Sequence, residues 1–163
     1  MPLVGISLGS NLGDRLGNLR SAVRHLDAVR SSPHLLTSSV YETEPIGCPP
    51  GSEPFYNAVI EIETILTPLE LLLRTQSIED ALGRPTDREI NAPRTVDLDL
   101  LYYDDLEINE GPLLLPHPRM FKRAIVLIPL AEIRADLIPE SIHPNPLSES
   151  IQRLDLPLND NPD

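Results

Sequence analysis

Hydrophobic residues alternate with polar or small residues in four stretches of the chain, and this period of two is typical of β-strands. In the first stretch, Val4, Ile6 and Leu8 fall on one face. In the third stretch, Glu61 and Glu63 lie opposite the apolar residues. The pattern predicts strands over residues 3–8, 35–43, 55–64 and 95–103.

Two other stretches repeat hydrophobic residues every three or four positions, as amphipathic helices do. The first follows Asp14, a residue type suited to an N-cap. Its apolar stripe consists of Leu16, Leu19, Val23 and Leu26. The second begins at residues 67–70, where Thr, Pro and Glu stand as in a capping box with proline in the first turn. It is expected to end at Gly83.

The predicted order is β-α-β-β-α-β, the ferredoxin-like pattern, in which both helices pack on one face of an antiparallel sheet. Beyond it, residues 106–108 and 113–115 predict a short hairpin, and the apolar stretch 124–133 is broken by Pro129. The remaining chain is acidic and rich in proline. We therefore expect one α+β domain over residues 1–150 and a poorly ordered tail over 151–163.

The charge balance excludes several functions. The 163 residues include 25 acidic and 13 basic side chains, which give a net charge of −12. Such a chain repels phosphate backbones, so we expect no general binding to DNA or RNA. Its one lysine, Lys122, lies between Phe121 and Arg123 instead of following a glycine-rich loop. This position excludes a Walker-type phosphate loop.

The cysteine content and the hydropathy indicate where the protein works. Cys48 is the one cysteine, so neither an intrachain disulfide nor a cysteine-based zinc site can form. We interpret it as an incidental loop thiol. No apolar run approaches the roughly 20 residues of a membrane helix, and the N-terminus lacks a signal-peptide pattern. We expect a soluble, cytoplasmic protein, with a monomer as the default.

Asp97 and Asp99 are the first candidates for chemistry. Residues i and i+2 of a strand point the same way, roughly 6.6 Å apart, so both carboxylates would face one side while Leu98 and Leu100 face the core. Paired carboxylates suit Mg²⁺, which one or two carboxylates commonly hold together with substrate phosphates. An ordinary solvated strand face would show the same pattern.

Cationic side chains gather around this pair in the sequence. Residues 84–123 carry seven of the chain's 13 basic and 4 histidine side chains, namely Arg84, Arg88, Arg94, His117, Arg119, Lys122 and Arg123. Guanidinium groups offer paired donors that match phosphate oxygens. The combination indicates a polyphosphate site. The alternative is a set of surface ion pairs with the nearby carboxylates of Glu79, Asp80, Asp87 and Glu89.

Three further positions each allow two interpretations. Residues 9–11 lead from a strand into a helix, where an anion could bind, but a tight turn has the same pattern. His117, between Pro116 and Pro118, is a phosphate donor or a turn residue. Asn57 could read the hydrogen-bonding edge of a heterocycle, or it is a surface residue.

Motifs spread over about residues 3–134 resemble one family, the 6-hydroxymethyl-7,8-dihydropterin pyrophosphokinases of folate biosynthesis. They are residues 9–14 (GSNLGD), 41–47 (YETEPIG), 55–58 (FYNA), 93–101 (PRTVDLDLL), 116–120 (PHPRM) and 129–133 (PLAEI), with Gly83-Arg84 and Arg123. The resemblance implies a ferredoxin-like α+β fold. It also implies transfer of the pyrophosphoryl group of ATP to the hydroxymethyl oxygen of the pterin, giving AMP.

The resemblance also implies roles for individual residues. Asp97 and Asp99 would hold two Mg²⁺ ions that bridge the ATP phosphates, and Arg84 and Arg94 would close on those phosphates. The ATP-binding residues would be Gln76, Glu79, Arg84, Arg94, His117 and Arg123. The pterin-binding residues would be Thr43, Glu44, Pro45, Ile46, Gly47, Phe55, Asn57 and Ile125. No residue is required as a general base, because such transfers depend mainly on positioning and charge neutralisation.

The sequence departs from the family pattern at three places. The loop over 88–94 lacks the usual tryptophan and has Ala92 in place of glycine, and Thr86 stands where a second loop arginine is expected. Ile125 replaces the second aromatic residue that would sandwich the pterin, so we expect weaker pterin binding. Two other functions remain as alternatives. One is another Mg-dependent nucleotide transferase with a D-x-D motif, and the other is a ferredoxin-like module that binds a ligand without turnover.

Overall fold

The computed structural model describes residues 1–44, 50–83, 95–142 and 151–158, which form an α+β structure. The strands are β1 (Leu3–Ser10), β2 (Leu35–Thr37), β3 (Val40–Thr43), β4 (Phe55–Glu63), β5 (Asp97–Tyr103), β6 (Ile108–Glu110), β7 (Leu113–Leu115) and β8 (Ile151–Leu154). The helices are α1 (Arg15–Asp27), α2 (Pro68–Ala81) and α3 (Ala124–Ile133), followed by a single 3-10 turn at Ala135–Leu137.

Six of these strands form one antiparallel sheet. Its order is β5-β1-β4-β3-β8, and β2 pairs with β4 beside β3. β6 and β7 form a separate hairpin, as predicted. β1 therefore lies between β4 and β5, and β5 forms one edge of the sheet next to the second helix.

The helices cover both faces of this sheet. Val4, Ile6 and Leu8 of β1 point toward α1 and α2, and they form the main core with apolar residues of both helices. The other face packs against α3, where Val59 and Leu101 join a second apolar cluster, completed by Tyr102, Met120, Val126 and Leu130. We call this second face the α3 face.

The starts of the two predicted helices are confirmed. Asp14 Oδ1 accepts a hydrogen bond from the Gly17 amide over 3.0 Å, and Thr67 Oγ1 accepts one from the Glu70 amide over 3.2 Å. Gly83 adopts a φ of +93° just beyond α2, a conformation that favours glycine after a helix. No helix among the described residues combines the length and the apolarity needed to cross a bilayer.

The predicted strand over 35–43 is in fact two strands. Ser38 and Ser39 interrupt it, because at these residues side-chain hydrogen bonds replace part of the regular ladder with β4. Ser38 Oγ accepts from the Val59 amide, while the amide and hydroxyl of Ser39 donate to the Glu132 carboxylate of α3. The stretch 124–133 also differs from the expectation, since α3 runs through Pro129 without a break.

The expectation of a poorly ordered tail is wrong for residues 151–158. Ile151–Leu154 extend the sheet as β8, paired with β3. Arg20 of α1 donates two hydrogen bonds to the Pro157 carbonyl, and Leu158 is buried in the main core. These contacts are made with residues more than 100 positions away, so local composition did not indicate them. Residues 159–163 lie outside the described part of the chain.

Candidate functional site

The Asp97 and Asp99 side chains share the α3 face of the edge strand. Asp97 pairs with Gly9 and Asp99 with Ser7 of β1. Leu98, between them, points into the main core. The expectation that the two carboxylates face one way is therefore confirmed. Asp99 is exposed and Asp97 is half-buried, so both can be reached by a ligand.

A cleft of about 440 Å³ opens beside Asp99. The chain segments around it are the outer edge of β5, the β6–β7 hairpin and the loop that leads into α3. Its lining residues are Leu72, Leu98, Asp99, Leu100, Pro112, Leu113, Leu114, Leu115, His117, Pro118, Arg119 and Arg123. The fold thus brings the carboxylate together with three of the clustered side chains, those of His117, Arg119 and Arg123.

Hydrogen bonds of the local backbone determine which tautomer the His117 imidazole adopts. The His117 amide donates to the Leu101 carbonyl over 2.7 Å, and Nδ1 accepts from the Arg119 amide over 3.1 Å. Because Nδ1 accepts, the proton of the neutral ring is on Nε2. Burial lowers the pKa of His117 below 6.5, Asp99 counteracts part of this effect, and Arg119 and Arg123 lower the pKa further. His117 is therefore a neutral hydrogen-bond donor at neutral pH.

Asn57 is held in one orientation on the α3 face. Its Nδ2 donates to Thr43 Oγ1 over 2.7 Å, and both side chains are buried. A Cβ added to Gly9 would lie 3.1 Å from Asn57 Oδ1 and 3.7 Å from the Phe55 ring. Glycine at position 9 thus lets the amide and the ring approach the backbone of β1. Thr43 was predicted to line the pterin pocket through its backbone, and the structure shows in addition that its hydroxyl fixes the Asn57 amide.

The two α2 residues expected near ATP lie in different environments. Gln76 is exposed and is not among the residues that line the described cleft. Glu79 is only 5% exposed, and its Oε2 accepts a hydrogen bond from the Leu98 amide over 3.0 Å. The structure therefore joins Glu79 to the strand that carries the two aspartates.

The remaining predicted site residues are only partly described. Glu44 is exposed, Arg123 is the exposed residue that precedes α3, and Ile125 packs against the second apolar cluster. The predictions for Pro45, Ile46, Gly47, Arg84 and Arg94 lie outside the described residues, as do Thr86 and Arg88. Arg119, one of the cations predicted to cluster near the aspartates, lines the cleft, whereas the β6–β7 hairpin was not predicted to do so because its position depends on how it packs against the sheet.

The donor set of the described residues fits a metal that arrives with a ligand. No group of three His, Cys, Asp or Glu side chains that could hold a metal ion occurs in the described ranges. Mg²⁺ is commonly bound by one or two carboxylates plus phosphate oxygens and water. Asp97 and Asp99 fit that arrangement better than a resident all-protein metal site.

Comparison with known proteins supports a single family. Residues 5–135 match the family model of 7,8-dihydro-6-hydroxymethylpterin-pyrophosphokinase (HPPK). The chain is 47% identical over 129 residues to the 2-amino-4-hydroxy-6-hydroxymethyldihydropteridine pyrophosphokinase of Bacillus subtilis (strain 168), covering 78% of this chain and 75% of that protein. It is 40% identical over 150 residues to the protein of the same name from Methylorubrum extorquens, covering 92% of each.

A solved structure supports the fold. An HPPK-DHPS crystal structure in complex with substrates superposes with a TM-score of 0.65 at 12% identity, over 90% of this chain and 42% of that one. At this identity the likeness concerns the fold alone. The family match and the two relatives are what establish membership. The chain belongs to the 7,8-dihydro-6-hydroxymethylpterin-pyrophosphokinase family.

Proposed function

We propose that this chain transfers the pyrophosphoryl group of ATP to the hydroxymethyl oxygen of 6-hydroxymethyl-7,8-dihydropterin, giving AMP and the pterin diphosphate. The observation that carries the proposal is one row of residues across three strands. Asn57 pairs with Gly9, and Gly9 pairs with Asp97. Neighbouring strands are about 4.8 Å apart, so an amide suited to a heterocycle lies roughly 10 Å from a carboxylate suited to Mg²⁺.

The pterin would lie on the α3 face over Gly9. Asn57 Nδ2 donates a hydrogen bond to Thr43, and this bond fixes the position of Asn57 Oδ1. An amide oxygen in a fixed position accepts from a ring N–H or an amino group of a pterin. The Phe55 ring would stack on the planar heterocycle. The backbone at 43–47 completes this pocket in our proposal, following the family resemblance.

The ATP phosphates would lie in the cleft beside Asp99. The His117 Nε2–H, Arg119 and Arg123 are donors that would bind and orient phosphate oxygens, and Arg84 and Arg94 are proposed to join them. Asp97 and Asp99 would hold two Mg²⁺ ions. Bound Mg²⁺ neutralises phosphate charge and aligns the attacking and leaving oxygens. The chain's own contribution is then to place the pterin hydroxyl in line with the phosphates and to exclude water.

We also infer a ferredoxin-like core from the sheet order. The four core strands follow the order β5-β1-β4-β3, and α1 and α2 pack on the same face. This is the arrangement that β-α-β-β-α-β chains adopt. α3 and β8 are then additions, and α3 packs on the same face of the sheet as the one on which the substrates would meet.

The proposal is tested by a nucleotide product assay. Purified protein is incubated with ATP, Mg²⁺ and 6-hydroxymethyl-7,8-dihydropterin, and AMP is separated from ADP. Pterin-dependent AMP is the expected result. ADP as the product would contradict pyrophosphoryl transfer. Binding of ATP and pterin without nucleotide consumption would favour the alternative of a binding module.

Aspartate variants test the assignment of the metal site. Asp97→Ala and Asp99→Ala should each abolish AMP formation while leaving the fold intact, as circular dichroism would show. Asp105→Ala is the matched control, because Asp105 is an exposed carboxylate just beyond the same strand. Full activity in either Asp97→Ala or Asp99→Ala would contradict the assignment of metal binding to this pair.

A further inference from the structure

The backbone between the two aspartates is held from both sides. On one side, Asp97 and Asp99 pair with β1. On the other, the Leu98 amide points away from β1 and donates to Glu79 Oε2 over 3.0 Å in a buried environment. β5 is the edge strand of the sheet as far as the structure describes it, so no strand of that part of the chain takes up this amide. A carboxylate from a helix occupies the place that a neighbouring strand would otherwise fill.

Glu79 lies beside β5 because it belongs to the buried face of helix α2. Leu71, Thr75, Ile78 and Glu79 are the buried residues of the helix, at the spacing of one helical face. Leu71 and Ile78 are apolar and pack in the core, and the Thr75 hydroxyl forms a hydrogen bond within the helix. Glu79 instead places a carboxylate on this buried face. A buried carboxylate is costly without hydrogen-bond partners. Its bond to the Leu98 amide is charge-assisted and therefore stronger than a neutral one.

We propose that Glu79 is a positioning residue that holds the Asp97-Leu98-Asp99 backbone in the geometry needed for metal binding. This inference rests on the proposed function, because it presupposes that the two aspartates bind Mg²⁺. It differs from the role that the family resemblance implies, in which Glu79 is near the nucleotide. The part of the side chain that this role requires is an acceptor oxygen at the reach of the Leu98 amide, and the charge adds to the strength of the bond.

The requirement for positioning follows from the chemistry of the ion. Mg²⁺ demands near-ideal octahedral geometry with oxygen distances of about 2.0–2.1 Å. Two carboxylates on one strand meet this demand only if the backbone between them does not shift. Groups that orient metal ligands in this way typically affect metal affinity or activity by about 10- to 100-fold when they are removed.

Two substitutions of Glu79 distinguish the effect of its acceptor oxygen from the effect of its negative charge. Glu79→Gln keeps an acceptor oxygen at the same reach but removes the charge. Glu79→Asp keeps the charge but withdraws the oxygen by one methylene, so it cannot reach the Leu98 amide without a shift. Asp80→Asn is the matched control, because Asp80 is exposed on the next position of the same helix.

The first measurement is made on the protein without metal. Amide hydrogen exchange at Leu98, followed by NMR, should remain slow in wild type, in Glu79→Gln and in Asp80→Asn. In Glu79→Asp it should become at least about tenfold faster, because the amide loses its acceptor. Unchanged exchange in Glu79→Asp would overturn the inference, and this readout does not depend on enzymatic activity.

The second measurement is the Mg²⁺ concentration that gives half-maximal AMP formation at saturating ATP and pterin. Glu79→Asp should raise it by about tenfold or more, and Glu79→Gln should stay within about twofold of wild type. If Glu79→Gln is as impaired as Glu79→Asp, the charge is responsible and the inference fails. A raised KM for ATP with an unchanged Mg²⁺ midpoint would favour direct nucleotide binding instead. If wild type itself makes no AMP, the proposed function fails separately.

Discussion

The Nδ2 atom of Asn57 donates a hydrogen bond to the Oγ1 atom of Thr43, 2.7 Å away, on two paired strands of the sheet. Thr43 is paired with Phe55, two residues from Asn57, so the bond runs diagonally between β3 and β4. Both side chains are buried, which makes the bond costly to lose. It fixes which end of the Asn57 amide is presented to a ligand.

Thr43→Val should therefore weaken pterin binding. Valine keeps the side-chain volume but removes the acceptor, so the Asn57 amide is free to rotate and its Nδ2 is left unsatisfied. We expect the KM for the pterin to rise roughly tenfold, which corresponds to about 1.4 kcal/mol for a buried hydrogen bond. The KM for ATP should not change. Thr43→Ser retains the hydroxyl and should restore most of the affinity; failure to do so would indicate a packing effect.

Ile125→Phe should tighten pterin binding. Ile125 stands where the family pattern has a second aromatic residue, and it is half-buried near the start of α3. An aromatic partner is worth roughly 0.5–1.5 kcal/mol beyond area burial, or about two- to tenfold in affinity. Titration of the pterin by fluorescence or calorimetry would measure the change. Equal affinity in the variant and in wild type would contradict the interpretation that Ile125 leaves the pterin without a second aromatic stacking partner.

The stability of the protein should fall as the pH is lowered through the range in which His117 titrates. Its pKa is below 6.5 in the folded state, chiefly because of burial, so the unfolded chain binds the proton first. The stabilisation is fully present above about pH 6.5 and is lost as the pH falls through the lower folded-state pKa.

Urea unfolding between about pH 7.5 and pH 5 measures this dependence. His117→Gln should show a shallower decline than wild type. His25→Gln, at an exposed position of α1, is the reference for losing one histidine. Identical declines in wild type and His117→Gln would contradict the assignment of this effect to His117.

Glu61→Ala should strongly destabilise the fold. Glu61 is 1% exposed and accepts from the Tyr102 hydroxyl and from Arg134, and its other oxygen is 2.8 Å from His34 Nε2. Removing it leaves these donors without their buried acceptor. We expect a loss of roughly 3–5 kcal/mol in the free energy of unfolding.

Chemical denaturation compared with an exposed control tests the role of Glu61. Glu107→Ala removes a carboxylate from an exposed turn and should change the free energy of unfolding by less than about 0.5 kcal/mol. A Glu61→Ala effect as small as that of the control would mean that the buried network contributes little.

Local signals in the sequence predicted the elements that depend on local chemistry. The start of α2 follows from Thr67, Pro68 and Glu70, whose capping interactions span only a few residues. The shared face of Asp97 and Asp99 follows from the period of a strand. In both cases the deciding contacts lie within one element, so no knowledge of the rest of the fold was needed.

The features that were missed depend on distant contacts. β8 is a strand because β3 offers it an edge, although its own composition resembles a tail. From the sequence alone, Glu79 has the pattern of an exposed charged residue on a helix. Only the packing of α2 against β5 shows that it is buried. The bond between Asn57 and Thr43 joins residues 14 positions apart and depends on the pairing of two strands.

The position of β1 in the middle of the sheet has a consequence during synthesis. Both of its partners, β4 and β5, come later in the chain, and β5 begins only at Asp97. At roughly 5–20 residues per second, the ribosome needs about 4–20 seconds to make the residues that separate β1 from β5. Until β5 has been made, at least one edge of this apolar strand has no partner from the sheet, and an unpaired edge is a site for aggregation. Production of this protein should therefore depend on chaperones that bind extended apolar segments.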